Sequence, residues 1–257
     1  MSLSKSGIPY LTHVWNVAVG CEHNCPGCWA RERWAPRMEC PLCRSYTPHI
    51  HPERFGDITA KQKPKVVGVG FFADLCGDWR WCFAEGNGST YSMGAVLPVV
   101  ASTIDTCPQH IFLSLTRCPD RLPDITYPDN WWWGTTITSE ADMWRVDELL
   151  KAGTPHPWVS VEPMRGPVCL DLPSSIEWIV VGAESGPMRT PCLLEWVRDV
   201  VDQCFVANVP VWVKQIDIGG KCSHDMAEWP EDLRLHQAPE PVATILQANG
   251  KGVMTND

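Results

Sequence analysis

The sequence predicts an α/β protein built as a full or partial (β/α) barrel. Short apolar runs recur along the chain, segments with helical periodicity lie between them, and polar residues follow the ends of several runs. Continuously apolar runs are typical of strands buried on both faces, and their alternation with helices indicates a parallel sheet. The candidate strands are His13–Gly20, Lys65–Asp74, His110–Thr116, Trp131–Thr138, Trp158–Glu162, Glu177–Gly182 and Val209–Lys214.

Two segments between these runs predict helices. Thr138–Lys151 has Ser139 as a candidate cap and ends before Gly153. Leu194–Ala207 spaces its apolar residues as an amphipathic helix does. Those residues are Trp196, Val197, Val200, Val201 and Cys204.

Length and composition favour one folded domain. The chain has 257 residues, of which 44% are hydrophobic, enough for a substantial core. We expect the domain to span residues 1–236, with a small Cys/His insertion after the first strand at 38–54 and a polar tail at 237–257. The Gly77–Gly94 segment is a candidate lid. No apolar run is long enough for a membrane span and no signal peptide is evident, so we expect a cytoplasmic protein.

Charge is distributed unevenly along the chain. Residues 1–65 carry nine Lys/Arg and five Asp/Glu, a net +4, whereas the rest carries 12 against 25, a net −13. Proteins that coat nucleic acid non-specifically are usually basic overall, so the total of −9 argues against that class. The local basic region could still hold an anionic substrate.

Polar residues follow five of the predicted strands. In (β/α) barrels the chemistry lies at the carboxyl ends of the strands, which makes these residues candidate site residues. The alternative is that polar residues merely mark strand exits. They are Asp74, Thr116 with Arg117, Glu162, Glu184 in the Gly182–Gly186 segment, and Lys214.

The strongest motif is a C-x3-C-x2-C loop directly after the first predicted strand, formed by Cys21, Cys25 and Cys28. Three thiolates on a short loop can ligate three irons of a [4Fe-4S] cluster, whereas a fully ligated cluster normally takes four cysteines. The remaining iron could then chelate S-adenosylmethionine, whose reductive cleavage yields a 5′-deoxyadenosyl radical. The alternatives are a zinc knuckle and buried free thiols.

This loop, one block before it and five downstream blocks resemble the radical S-adenosylmethionine superfamily, and specifically an uncharacterised phage-associated family similar to it. The resemblance covers roughly residues 12–217 and implies a radical S-adenosylmethionine type of (β/α) barrel. The blocks are Thr12–Asn16, Phe71–Leu75, Pro108–Arg117, Ser160–Pro167, Val180–Gly186 and Val213–Gln215.

The resemblance also implies roles for individual residues. Asp74 would replace the missing Gly-Gly-Glu segment that contacts the methionine amine, and Arg117 would pair with the methionine carboxylate. Trp29 follows the third cysteine, where the superfamily often has an aromatic residue before it. The expected cofactor-binding set is Trp29, Asp74, Thr116, Arg117, Glu162, Gly182 and Glu184, and the expected catalytic set is Cys118, Glu162, Glu184 and Lys214.

A second cysteine pair, Cys40 and Cys43, forms a C-x2-C knuckle followed by His49 and His51. This Cys2His2 set could hold a structural zinc ion, although the H-x-H half is tighter than usual. Other readings are a second iron–sulfur cluster, no metal, or ligands from Cys222 and His224. Nearby arginines could contact phosphates or the S-adenosylmethionine carboxylate, or be solvated: Arg31, Arg33, Arg37, Arg44 and Arg54.

Three functions follow from these motifs. The first is a radical S-adenosylmethionine enzyme that isomerises a substituent on a modified pyrimidine nucleotide or DNA base during phage DNA hypermodification. It would draw electrons from flavodoxin or ferredoxin and act in the cytoplasm, that of the host if the chain is phage-encoded. The second is a radical lyase that repairs damaged pyrimidines, with Cys118 or Cys169 as hydrogen donor. The third is a non-catalytic, zinc-stabilised binding module.

Overall fold

The computed structural model describes residues 3–83, 90–186 and 189–254. Its centre is a nine-stranded sheet in the order β1-β2-β5-β8-β9-β10-β11-β12-β13, and a four-stranded sheet has the order β3-β4-β6-β7. The strands are β1 (Leu3–Lys5), β2 (His13–Trp15), β3 (Ala18–Val19), β4 (His49–Ile50), β5 (Val66–Val69), β6 (Trp81–Phe83), β7 (Thr90–Tyr91), β8 (Ile111–Thr116), β9 (Trp131–Ile137), β10 (Trp158–Val161), β11 (Trp178–Gly182), β12 (Val211–Ile218) and β13 (Lys221–Ser223).

Within the residues that the structure describes, five α-helices accompany the sheets. They are α1 (Pro41–Ser45), α2 (Met93–Asp105), α3 (Trp144–Lys151), α4 (Leu194–Ala207) and α5 (Glu240–Ala248). The bounds of α4 match the prediction. Its buried residues recur on one face, and Asn208 ends the helix with a left-handed φ of 54°. Helix α3 begins later than predicted, because a short 3-10 turn at Glu140–Asp142 precedes it.

The seven strands from β2 to β12 in the large sheet are parallel and lie in sequence order. Each corresponds to one of the predicted apolar runs. The antiparallel strands β1 and β13 flank them, and within the described ranges no ladder joins the two ends into a closed barrel. The full or partial barrel therefore stays a prediction, whereas the mixed α/β class with a mostly parallel sheet is observed.

The first predicted strand contributes to both sheets. His13–Gly20 does not form one strand, since β2 ends at Trp15 and β3 joins the other sheet by pairing with β4. Strand β4 contains His49, and α1 contains Cys43. The predicted Cys/His insertion therefore folds against the segment that leads into the C-x3-C-x2-C loop.

The tryptophan run in β9 shows how the sheet is covered on both faces. Trp131 and Trp133 are buried on one side with ring centroids 4.9 Å apart, whereas Trp132 is buried in a separate cluster and stacks on His156. This alternation is the strand period of two. The run therefore packs in the core, and all three of its tryptophans are buried.

Two predicted features differ in the structure. The expected polar tail at 237–257 contains α5, whose Val242, Ala243 and Leu246 are fully buried against the sheet. The expected lid at Gly77–Gly94 contains β6 and β7, and its residues 84–89 lie outside the described residues. In the described ranges, no helix combines the length and apolar character needed to span a bilayer.

Gly134 in β9 is expected to be intolerant of a side chain. A Cβ atom there would lie 2.5 Å from the buried indole of Trp158 on the neighbouring strand. Gly134→Ala should lower the free energy of unfolding by about 1–3 kcal/mol, measured by urea denaturation. Gly56→Ala, with no heavy atom within 4 Å of its Cβ, is the matched control. Equal stability of the two variants would contradict this packing.

Candidate functional site

Gly20, the residue immediately before Cys21, fixes the backbone conformation at the start of the C-x3-C-x2-C loop. Gly20 has a φ of 97°, and a Cβ atom there would lie 2.3 Å from the carbonyl oxygen of Thr47. Its amide donates a hydrogen bond of 2.9 Å to the carbonyl of Phe72, and it bridges in parallel to Ala73. The loop therefore begins next to the carboxyl end of β5 and touches the segment that carries the second Cys/His group.

The three cysteines of the loop lie near one another and are partly exposed. Cys21, Cys25 and Cys28 are half-buried free thiols. Arg31 crosses back over the loop and donates a 2.7 Å hydrogen bond to the carbonyl of Cys21. Burial is the main reason that the pKa of the Cys21 thiol rises to about 12, with Asp74 and the other two cysteines adding to it.

The three thiols are not arranged for a single metal ion. Among the described residues, two groups place all their ligand atoms within 4.8 Å of one another, and these three sulfurs are in neither group. A zinc ion with sulfur bonds of about 2.3 Å would need them that close. The three sulfurs, as placed, therefore do not form a ready site for one zinc ion.

A polar cleft of about 470 Å³ opens beside the loop. Cys25 and Cys118 line it, and Arg117 reaches from the end of β8 to place Nη1 3.5 Å from the Cys25 sulfur. Three further arginines line the same cleft: Arg121, Arg145 and Arg165. The cleft can therefore bind an anionic group next to the cysteines.

Asp74 lies under this cleft and is fully engaged by the protein. One carboxylate oxygen accepts from the Thr116 hydroxyl at 2.7 Å and the Cys76 amide at 3.0 Å. The other lies 2.8 Å from both the Arg117 amide and His23 Nε2. Burial raises the pKa of Asp74, but these hydrogen bonds outweigh it and hold the pKa below its ordinary value.

The expected cofactor roles of Asp74 and Thr116 stay predictions, and the structure gives both residues partners within the chain. A carboxylate offers about four acceptor positions, and all four of Asp74 are occupied from within the chain. The Thr116 hydroxyl is buried and donates to Asp74. Through these contacts the two residues join the ends of β5 and β8.

Asp74→Asn is expected to destabilise the fold by about 3 kcal/mol, because an amide nitrogen would face buried donors. The depressed pKa of Asp74 means that its stabilisation is present above the ordinary carboxyl pKa of about 4 and is lost as pH falls through the folded-state value. Guanidinium unfolding at pH 7 and pH 3 measures both effects. Asp232→Asn, at an exposed pair with Arg198, is the control. A similar loss in both variants would contradict the role of Asp74.

Glu184 lies beside the cysteine loop, as expected for a site residue. Its Oε1 would be 3.2 Å from a Cβ atom on Gly27, and it accepts 2.6 Å and 3.0 Å hydrogen bonds from Arg165 and the Thr190 amide. Burial raises the pKa of Glu184, but Arg165 and Thr190 hold it below its ordinary value. Glu184 is therefore an anion that positions Arg165.

Glu162 and Lys214 form another group at the same edge of the sheet. Lys214 Nζ pairs with Glu162, which also accepts a 2.8 Å hydrogen bond from Gln215. Strand β12 continues to Ile218, so Lys214 lies within the strand instead of ending it. Gly182 is buried and would place a Cβ atom 3.4 Å from the Gln215 amide. None of these residues lines the cleft.

Trp29 and Cys118 have different surroundings. Trp29 is 55% exposed, with its ring centroid 5.8 Å from that of Phe72. Cys118 lies in the cleft with Sγ 3.8 Å from His23 Nε2. Burial, with Asp74 and Asp120 nearby, raises the pKa of Cys118 to about 11, so it is a protonated thiol at neutral pH.

Cys40, Cys43, His49 and His51 form a group that could hold a metal ion, with their ligand atoms within 4.8 Å of one another. Cys43 Sγ is 3.3 Å from His49 Nε2 and 3.2 Å from His51 Nε2. This confirms the grouping read from the sequence. The alternative ligands Cys222 and His224 are not part of it.

The two histidines present lone pairs to one another. His49 Nδ1 is 2.7 Å from the Thr47 carbonyl and His51 Nδ1 is 2.7 Å from Glu53 Oε1, so each Nδ1 carries a proton toward an acceptor. Burial lowers the pKa of His49, and burial with Arg54 nearby lowers that of His51 to about 4, so both are neutral at pH 7. Their Nε2 atoms lie 2.8 Å apart, so both lone pairs face the space that the two histidines share with the sulfurs.

Sequence reasoning missed His23, Trp144, Arg145 and Arg165 as site residues. His23 lies inside the C-x3-C spacing, which drew attention to the cysteines alone. Arg165 follows β10 within one of the recognised blocks, and its pairing with Glu184 spans 19 residues. A search for arginines just after each predicted strand would have found Arg165.

The comparisons with known proteins correct the expected family. No curated protein and no solved structure matches the chain. No radical S-adenosylmethionine family model matches it either, so the expected membership in that superfamily is overturned. The model that matches covers residues 5–230 and is described as a protein of unknown function. The chain therefore belongs to the family of proteins of unknown function DUF5131.

Proposed function

We propose that this chain is an iron–sulfur enzyme that holds a [4Fe-4S] cluster on Cys21, Cys25 and Cys28 and binds S-adenosylmethionine beside it. The proposal rests on the chain's own residues and on no superfamily membership. The observation that carries it is a loop of three half-buried thiols, too widely spaced for one ion, at the edge of an arginine-lined cleft.

The surroundings of the loop fit such a cluster. Cys21 and Cys28 pack against an apolar cluster that includes Val19, Ala30 and Tyr46, which limits access of water from that side. On the other side, Arg117 offers an N–H donor and a positive charge to the Cys25 sulfur. Hydrogen bonds and solvent exclusion of this kind set the reduction potential of iron–sulfur clusters.

When bound, a cluster with one iron free of protein ligands can take an electron from ferredoxin or flavodoxin and pass it to S-adenosylmethionine, breaking a carbon–sulfur bond to give methionine and a 5′-deoxyadenosyl radical. The chain's residues would orient the substrate and exclude water. Cys118, a protonated thiol in the cleft, holds a hydrogen on Sγ next to His23.

We further propose that the reaction rearranges a substituent after hydrogen abstraction. In a repair lyase, a thiol would instead donate a hydrogen atom to the substrate radical. Because Cys118 lies in the cleft, we retain the repair lyase as a second candidate. Cys118→Ser separates the two, because it should stop a lyase and leave a rearrangement unchanged. All 13 cysteines are free thiols, which supports a reducing compartment such as the cytoplasm, that of the host if the chain is phage-encoded.

For the second group we propose a structural zinc ion held by Cys40, Cys43, His49 and His51. Two neutral imidazoles and two sulfurs are a usual tetrahedral zinc set. His49 and His51 are hydrogen-bonded to the Thr47 carbonyl and the Glu53 carboxylate. Backbone carbonyls and carboxylates commonly orient zinc-bound histidines in this way.

Anaerobic reconstitution tests the iron–sulfur proposal. Protein treated with iron and sulfide should bind about four irons per chain. With dithionite and S-adenosylmethionine it should form 5′-deoxyadenosine, detected by liquid chromatography. A colourless protein that holds only zinc at the three-cysteine loop would contradict the proposal.

A further inference from the structure

The cleft beside Cys25 concentrates positive charge in an acidic part of the chain. Residues 66–257 contain 12 Lys/Arg against 25 Asp/Glu, yet four of those 12 line this one cleft: Arg117, Arg121, Arg145 and Arg165. Asp120 is the one carboxylate among the described residues that line it. The local balance is therefore opposite to that of the surrounding chain, which is the pattern expected of an anion site.

Contacts with neighbouring residues fix the side chains of two of these arginines. Arg145 in α3 pairs with Asp142 at 2.7 Å and donates to the Thr136 carbonyl, while Arg165 pairs with Glu184. Such contacts fix the planar guanidinium groups and leave further N–H donors for a ligand.

Arg117 is the cleft arginine whose guanidinium has no carboxylate partner among the described residues. In the described ranges, no carboxylate oxygen lies within 4.0 Å of its guanidinium, and its recorded side-chain contact is the one to Cys25. Arg145 is close enough that Arg117 contributes to lowering its pKa, after burial as the main cause. Two guanidinium groups that repel one another in a cleft are stabilised by a dianion between them.

An aromatic surface lies at the same cleft. Trp144 lines it, is 47% exposed, and has the Arg145 guanidinium 5.4 Å from its ring centroid. Exposed tryptophan rings are sequence-tolerant stacking partners for nucleic-acid bases. A volume of about 470 Å³ is within the usual range of small-molecule sites.

We propose that this cleft binds a nucleotide, with its phosphate on Arg117 and Arg145 and its base on Trp144. The inference rests on the proposed function, since it names the substrate class for the same site. The phosphate could belong to a free nucleotide or to a single strand of nucleic acid, and the two sources share this chemistry.

Equilibrium dialysis with thymidine 5′-monophosphate tests the inference. We expect it to bind at least about tenfold more tightly than thymidine, and Arg117→Gln to weaken it about tenfold. Trp144→Ala should weaken it by a similar factor and leave the binding of inorganic phosphate unchanged. Arg198→Gln, at an exposed ion pair outside the cleft, should change nothing. Arg145→Gln, at the other arginine of the proposed phosphate site, is a second variant if Arg117→Gln does not fold.

Two further arms separate the alternatives. Tighter binding of a short oligothymidylate than of the monophosphate would support the inference with a strand as the source. Equal binding of nucleotide and nucleoside, or unchanged binding in both Arg117→Gln and Trp144→Ala, would overturn it. An effect of Arg117→Gln alone would overturn the assignment of a nucleotide.

The experiment is run on reconstituted and on iron-free protein, because the arginines and Trp144 do not depend on iron. Nucleotide binding without any iron uptake would contradict only the proposed cluster. Formation of 5′-deoxyadenosine without nucleotide binding would contradict only the inference about the substrate.

Discussion

Replacing Cys21, Cys25 or Cys28 with serine is expected to abolish formation of 5′-deoxyadenosine while leaving the sheet folded. Each thiol is proposed as the protein ligand of one iron, and even the partners of metal ligands typically affect affinity or activity by about 10–100-fold. Loss of a ligand should therefore lower activity more than about 100-fold. Iron content and product formation measure the effect.

Cys169→Ser is the control for these variants, because Cys169 is an exposed free thiol that does not line the cleft. Circular dichroism should show the same secondary structure in all four variants. Retention of iron and product in the three loop variants, at the level of Cys169→Ser, would refute the role of the loop.

Cys43→Ser is expected to lower the melting temperature strongly and to reduce iron uptake at the neighbouring loop. Metal binding and folding are coupled in such sites. The effect should spread because Cys43 and Tyr46 belong to the apolar cluster against which Cys21 and Cys28 pack. Differential scanning calorimetry, with zinc and iron analysis, measures both effects.

The matched control is Cys82→Ser, since Cys82 lies on the adjacent strand β6, outside the Cys/His group. A chelator should reproduce the effect of Cys43→Ser in the unaltered protein and have little further effect on the variant. If the unaltered protein contains no zinc and the variant melts at the same temperature, the proposed zinc site is wrong.

The parts of the fold that sequence predicted are those with long apolar runs. The seven parallel strands are buried on both faces, so their side chains leave a continuous signal. The strands of the small sheet are two or three residues long, too short for any period to show. Helix α2 was missed because Pro98 lies in its interior and few polar residues mark a face.

The candidate site was predictable where spacing along the chain encodes it. The Cys40–Cys43 and His49–His51 pairs lie within 12 residues and do converge. The hydrogen bonds of Asp74 could not be predicted, because its partners Thr116 and His23 are 42 and 51 residues away. The arginine cleft was missed for the same reason, as its four arginines follow or lie in different elements.

Electron paramagnetic resonance of the reduced, reconstituted protein tests the central claim most directly. We predict the signal of a reduced [4Fe-4S] cluster that changes when S-adenosylmethionine is added, because the ligand would bind the iron that Cys21, Cys25 and Cys28 leave open. Absence of a cluster signal, or a spectrum that S-adenosylmethionine leaves unchanged, would contradict the account.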